Sequence, residues 1–120
     1  MEQVLPITMM KKNRQSALEE QIYERQVEIC KAFANPIRLR ILDLLAHQTH
    51  SASQLQKKLS IAKANLSQHL TVLKQAGVVT TRREGKQVFC SLAIPEVKTA
   101  CQLIRDVLRA QIKKDRQLAV

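Results

Sequence analysis

Aromatic residues are almost missing from this 120-residue chain: one Tyr, two Phe and no Trp. The apolar positions discussed below are therefore nearly all aliphatic. Glycine is scarce as well, with two residues, and no Gly-rich loop is present to cradle a phosphate. No Ser/His/Asp grouping or carboxylate pair stands out, so an enzyme is not expected. The three cysteines are an odd number without framework spacing. That argues against a disulfide scaffold and for a reducing, cytoplasmic setting. No run of about 20 apolar residues exists to span a membrane. The stretch Met1–Gln15 places its basic residues after its apolar ones, which is not the order of a secretory signal.

What is present is positive charge on a chain able to fold. Hydrophobic residues make up 45%, too many for a disordered basic tail. Lys and Arg number 20 against 10 acidic residues, a formal net charge of +10. The excess is uneven: residues 1–60 carry 9 basic and 6 acidic groups, residues 61–120 carry 11 and 4. A basic globular domain points to a polyanion partner, nucleic acid first, with its phosphate contacts in the second half. The length suits one domain. The expected organisation is a flexible leader at 1–14, a domain at 15–114 and a tail at 115–120.

Hydrophobic periodicity supplies the elements. A helical pattern begins at Ser16 and runs through Leu18, Ile22, Ile29, Cys30 and Phe33. Asn35-Pro36 ends it and starts the next helix, with Asn as N-cap and Pro at the first helical position. That helix carries Ile37, Leu39, Ile41, Leu42, Leu44 and Leu45 and fades at His47. Ser51-Ala52-Ser53-Gln54 reads as a capping box before a short helix with Leu55 and Leu59 inward. Ser60-Ile61-Ala62 is a tight turn, and the next helix spans Lys63 to Gln75 on a Leu66/Leu70/Leu73 stripe, closed by Gly77. The period then changes to two. Val78–Thr81 and Val88/Cys90/Leu92 read as strands joined by a turn at Glu84-Gly85. Pro95 opens a last helix with Val97, Cys101, Ile104, Leu108 and Ile112 on one side.

The result is a mainly α fold with a β-hairpin wing, a winged helix-turn-helix. The first helix of the pair fixes the second by packing, and the second offers its polar face to base edges in a major groove about one helix wide. That face carries Lys63, Ala64, Asn65, Ser67, Gln68 and Thr71. Asn and Gln can pair bidentately with adenine, Lys can reach guanine or phosphate, and hydroxyls can bond either. The wing adds Arg82, Arg83 and Lys86. The expected partner is a double-stranded DNA operator.

These motifs resemble the ArsR/SmtB family of small dimeric bacterial repressors. The resemblance is carried by Phe33-Ala34-Asn35-Pro36-Ile37-Arg38-Leu39-Arg40-Ile41-Leu42, by the run from Leu66-Ser67-Gln68-His69-Leu70 to Gly77-Val78-Val79, and by Arg83-Glu84-Gly85-Lys86. It covers roughly residues 25–112. It implies a homodimer through the first and last helices, a palindromic operator, and release when an inducer binds. The apolar stripes of those two helices point to pairing independently, because so small a domain cannot cover both.

The family's metal sites do not carry over. One falls on Ser51 and Ser53, and serine is a poor ligand for soft metals. The other falls on Ile94, Glu96, Val107 and Ala110, of which Glu96 alone could ligate. His47 and His50 straddle a helix end, and His69 lies within the reading motif. The thiols Cys30, Cys90 and Cys101 remain. Drawn together they would suit As(III), Sb(III) or a soft metal as inducer. A pair could instead form a disulfide or polysulfide bridge, and all three could be core residues without a sensing role. No cofactor is obligatory. Two other classes stay open on sequence alone: a non-specific architectural DNA-binding protein, and a winged helix turned to protein binding.

Overall fold

The computed structural model describes residues 7–118 as α1 (Ile7–Phe33), α2 (Pro36–His47), β1 (His50–Ser51), α3 (Ala52–Leu59), α4 (Lys63–Gln75), β2 (Val79–Glu84), β3 (Gln87–Leu92) and α5 (Pro95–Leu118). Each boundary has a local cause. The Asn35 side chain accepts from the backbone N–H groups of Ile37 and Arg38 at 2.9 and 3.1 Å, and Pro36 needs no partner at the first helical position. Ser51 and Gln54 bond reciprocally at 2.9 and 3.1 Å, so the capping box starts α3. Ser60 takes the left-handed conformation, φ 54°, to reverse the chain into α4. Gly77, φ 76°, does the same after α4.

The three strands form an antiparallel sheet in the order β1-β3-β2. In register, Cys90 faces His50 on one side and Thr81 on the other. One core unites the elements: Ile41, Leu42 and Leu45 of α2, Leu55 and Leu59 of α3, Leu66, Leu70 and Leu73 of α4, then Val78, Val79, Cys90 and Val97. Each fully buried aliphatic side chain contributes about 1.5–3 kcal/mol.

Four expectations need correction. α1 begins at Ile7 rather than near Ser16, so residues 7–14 of the expected leader are helical, and 1–6 lie outside the described residues. Its first turns lack an apolar stripe, so periodicity could not reveal them. Likewise α5 continues through 115–118 of the expected tail, with 119–120 outside the described residues. The wing turns at Gly85-Lys86, one residue later than expected, with Gly85 supplying a φ of 62°. Strand β1 has no counterpart in the sequence pattern; two residues pair with β3 some 40 positions away.

The apolar stripes of the two long helices stay largely open. Ile22 of α1 is 63% exposed, and Ile104 and Leu108 of α5 are 53% and 54% exposed. Of the expected inward face of α1, Phe33 is half-buried and Leu18, Ile22 and Cys30 are exposed, while Ala32 is fully buried. No helix among the described residues is long and apolar enough to cross a membrane.

Candidate nucleic-acid interface

Helix α4 separates its two jobs by helical phase. Leu66, Leu70 and Leu73, spaced four and three apart, turn inward and are buried. Lys63, Ala64, Asn65, Ser67, Gln68 and Thr71 are all exposed, as the sequence predicts. The helix contains two lysines and no acidic residue. The Thr71 hydroxyl donates back to the Ser67 carbonyl at 2.9 Å, leaving its oxygen lone pairs outward. Asn65 and Gln68 are unengaged among the described hydrogen bonds, so their amides are free to read base edges.

The wing is held by its own side chains. Arg82 lies 5.4 Å from the Phe89 ring centroid, its partner in register, and its Nε donates to Glu84 at 2.8 Å. An exposed cation over a ring contributes about 0.5–1 kcal/mol. Arg82 is thereby committed to the hairpin. Arg83 and Lys86 are exposed and make no ion pair among the described residues.

The histidines are accounted for without a metal. His50 is buried, with Nδ1–H donating to the Gln48 carbonyl at 2.8 Å and Nε2 accepting from Lys58 at 3.1 Å. His47 donates to the Asp43 carbonyl at 2.8 Å. His69 accepts from Arg38 at 3.3 Å. Burial, then the Arg38 charge, lower its pKa below 6.5, so the ring is neutral at pH 7. Sequence reasoning missed the roles of His50 and Arg38; both depend on partners from other elements.

The three thiols sit in three different settings. Among the described residues no three His, Cys, Asp or Glu side chains come together to hold an ion. Cys30 is exposed on α1, Cys90 is fully buried in β3, and Cys101 is half-buried on α5. Burial raises the pKa of Cys90, with Lys74 opposing. Burial also raises that of Cys101, opposed by Arg105 and assisted by Asp43. Both therefore remain thiols at neutral pH. Cys101 opens into a cleft of about 410 Å³ between α2 and α5, lined also by Asp43, His47, Lys98 and Arg105. The Arg105–Asp43 ion pair, 3.4 Å, crosses between the two helices there. Of the family's metal positions, Ser51 serves the capping box, and Ser53, Ile94, Glu96, Val107 and Ala110 are exposed.

A first helix fixed to the core by Leu55 and Leu59, a second helix with an exposed polar face and a basic hairpin define a winged helix-turn-helix domain of the DNA-reading kind. Comparison with known proteins agrees. Residues 33–82 match a family described as a helix-turn-helix domain. The uncharacterized HTH-type transcriptional regulator Rv0081 of Mycobacterium tuberculosis is 38% identical over 98 residues, 81% of this chain and 85% of that protein. Its crystal structure superposes with a TM-score of 0.71 over 79% of this chain and 95% of that one. The transcriptional activator HlyU of Vibrio cholerae is 39% identical over 67% of this chain and 74% of its own. A biofilm growth-associated repressor of Agrobacterium fabrum is 43% identical over 64% and 65%. The homodimeric winged helix-turn-helix domain of Mb0332 from Mycobacterium bovis, described as a possible ArsR-family regulator, superposes with a TM-score of 0.75 at 27% identity, covering 80% and 89%. The chain belongs to the ArsR/SmtB-type winged-helix transcriptional regulators.

Proposed function

We propose that this protein is a homodimeric repressor that reads a palindromic operator with α4 and grips phosphates with its wing. The observation that carries the reading is the phase separation of α4, which exposes Lys63, Asn65, Ser67, Gln68 and Thr71 together while Leu66, Leu70 and Leu73 hold the helix to the core. The open stripes of α1 and α5 support pairing of two copies, and the homodimeric neighbour supports it too. Two-fold pairing sets the reading helices about 34 Å apart, one turn of DNA. The dimer then covers a promoter by occupancy alone. Selection of duplexes from a random pool should enrich an inverted repeat, and a reporter placed behind it should fall when the protein is expressed. A pool without enrichment would refute the reading in favour of non-specific DNA packaging, and a rising reporter would make the protein an activator.

For release, the observations favour Cys101 among the thiols, because its cleft lies where α5 packs on α2. A ligand bonded there would pry the dimer helix from the reading unit. The ligand is a thiol-binding metalloid or soft metal, such as arsenite or antimonite, or a polysulfide. Because the Cys101 thiol is held protonated, release should quicken as pH rises. Arsenite and polysulfide should each be tried on the DNA-bound wild type and on Cys101→Ser. Equal release of both proteins would remove Cys101 from the mechanism.

A further inference from the structure

We propose that Arg38 is a positioning residue for sequence reading: it sets the angle of α4 against the last turn of α1 without itself touching DNA. The inference rests on the DNA-reading function proposed above. Arg38 stands in the first turn of α2, where its backbone N–H is held by the Asn35 cap. Its side chain then bonds outward to two other helices. Nε donates to the Ala32 carbonyl at 2.7 Å and Nη2 to the Lys31 carbonyl at 3.1 Å, both at the C-terminal end of α1. The Ala32 carbonyl is among the last of α1 and has no partner within the helix, the Lys31 carbonyl also accepts from the Ala34 N–H at 3.1 Å, and the negative end of the helix dipole favours a cation there. The remaining nitrogen, Nη1, donates to Nδ1 of His69 on α4 at 3.3 Å.

The geometry makes this more than a cap. A guanidinium is planar and its donors lie in a rigid fork, so two bonds to α1 fix where the third points. An arginine does not give up its proton, so the His69 Nδ1 must accept and the imidazole proton sits on Nε2. His69 lies between Gln68 on the reading face and Leu70 in the core. The Leu66/Leu70/Leu73 stripe holds α4 to the body, but apolar contact is non-directional and tolerates rotation about the helix axis. The Arg38–His69 bond is directional and opposes that rotation. A few degrees at the helix axis displace the Gln68 amide from a base edge, while the lysines still reach phosphate. Since α1 carries one of the two stripes assigned to the partner, Arg38 refers the reading angle to the dimer frame.

The test uses the full chain with a duplex selected by the wild type and a scrambled duplex of equal length, each across a salt series. Arg38→Lys keeps the charge but loses the fork. His69→Leu loses the acceptor, and His69→Asn keeps one, since its Oδ1 occupies much the same place as Nδ1. We expect Arg38→Lys and His69→Leu each to cut the preference for the selected duplex about tenfold, the scale of a hydrogen bond to a charged group. Affinity for the scrambled duplex and the salt slope should stay at wild-type values. His69→Asn should keep the wild-type preference, and the Arg38→Lys/His69→Leu double variant should be no worse than either single one. Arg38→Gln removes the charge as well: equal loss on both duplexes in Arg38→Lys, with a salt slope reduced by about one in Arg38→Gln, would make Arg38 a phosphate contact and overturn the proposal. Unchanged preference in His69→Leu, or losses that multiply in the double variant, would overturn it as well. If Arg38→Lys gives no cooperative melt, the contrast between His69→Leu and His69→Asn decides alone. A wild type that prefers no duplex at all would defeat the function and this role together.

Discussion

Gln68 and Arg83 are both exposed, yet they should fail in different ways. Gln68→Ala removes an amide able to pair with a base, so it should cost about 1–3 kcal/mol on a selected duplex and little on a scrambled one. Arg83→Ala removes a free wing cation, so fluorescence anisotropy should show both duplexes weakened and the salt slope smaller by about one. Arg82→Ala should act mainly on the hairpin, since Arg82 is spent on Phe89 and Glu84. The cysteines make a sharper contrast. Cys90 has no exposed surface, so iodoacetamide should leave it unmodified in the native protein and label it on unfolding. Its folded pKa lies above the ordinary 9.0. The unfolded chain therefore loses the proton first, and stability should hold up to about pH 9 and decline above it as the pH climbs toward the folded value. Denaturant titrations at pH 8 and pH 10 check the sign, and Cys90→Ala should show the smaller decline.

At the scale of elements, the caps are where sequence and structure agree most closely. The Asn35 side chain accepts twice at the start of α2, so Asn35→Ala should lower stability by about 1 kcal/mol in a urea melt. Ser60 carries a side chain in left-handed backbone, a cost of about 1–2 kcal/mol that glycine avoids. Ser60→Gly should accordingly raise the melting temperature, and a lower one would mean that the hydroxyl matters more than the strain. Asn35-Pro36, the Ser51/Gln54 box and the Leu66/Leu70/Leu73 stripe were legible because each is written within one or two turns of chain. The exposed reading face followed from the same stripe by subtraction. Strand β1, the Lys58–His50 contact and the Arg38–His69 bond were not legible, because each joins residues whose neighbourhood exists only after folding. The start of α1 was hidden for another reason: residues 7–14 carry no apolar stripe at helical spacing and so give no periodic signal. How the thiols stand to one another was not legible either: helical and strand phase send Cys30 outward and Cys90 inward, and a sequence pattern gives no distance between elements.

The whole molecule is extended for its length. Its radius of gyration is 20.1 Å and its extents are 66 × 57 × 22 Å, whereas a compact chain of this size would have a radius of about 14 Å. The excess comes from α1, 27 residues, and α5, 24 residues, which run beyond the body. Ile104→Glu or Leu108→Glu places a charge in the proposed interface, and sedimentation should show monomer or aggregate in place of dimer. A variant that sediments as the wild type does would put the interface elsewhere. The uncovered helices also bear on how much of the regulator a cell can keep. A surface that is finished only by a second copy ties folding to abundance, so melting temperature should climb with protein concentration. Below the concentration at which copies meet, limited proteolysis should cut first in the two long helices, whose apolar stripes lie open. On the proposed pairing, scarce copies would be cleared and plentiful ones would protect each other, so promoter occupancy should rise with protein level more steeply than DNA affinity alone would make it.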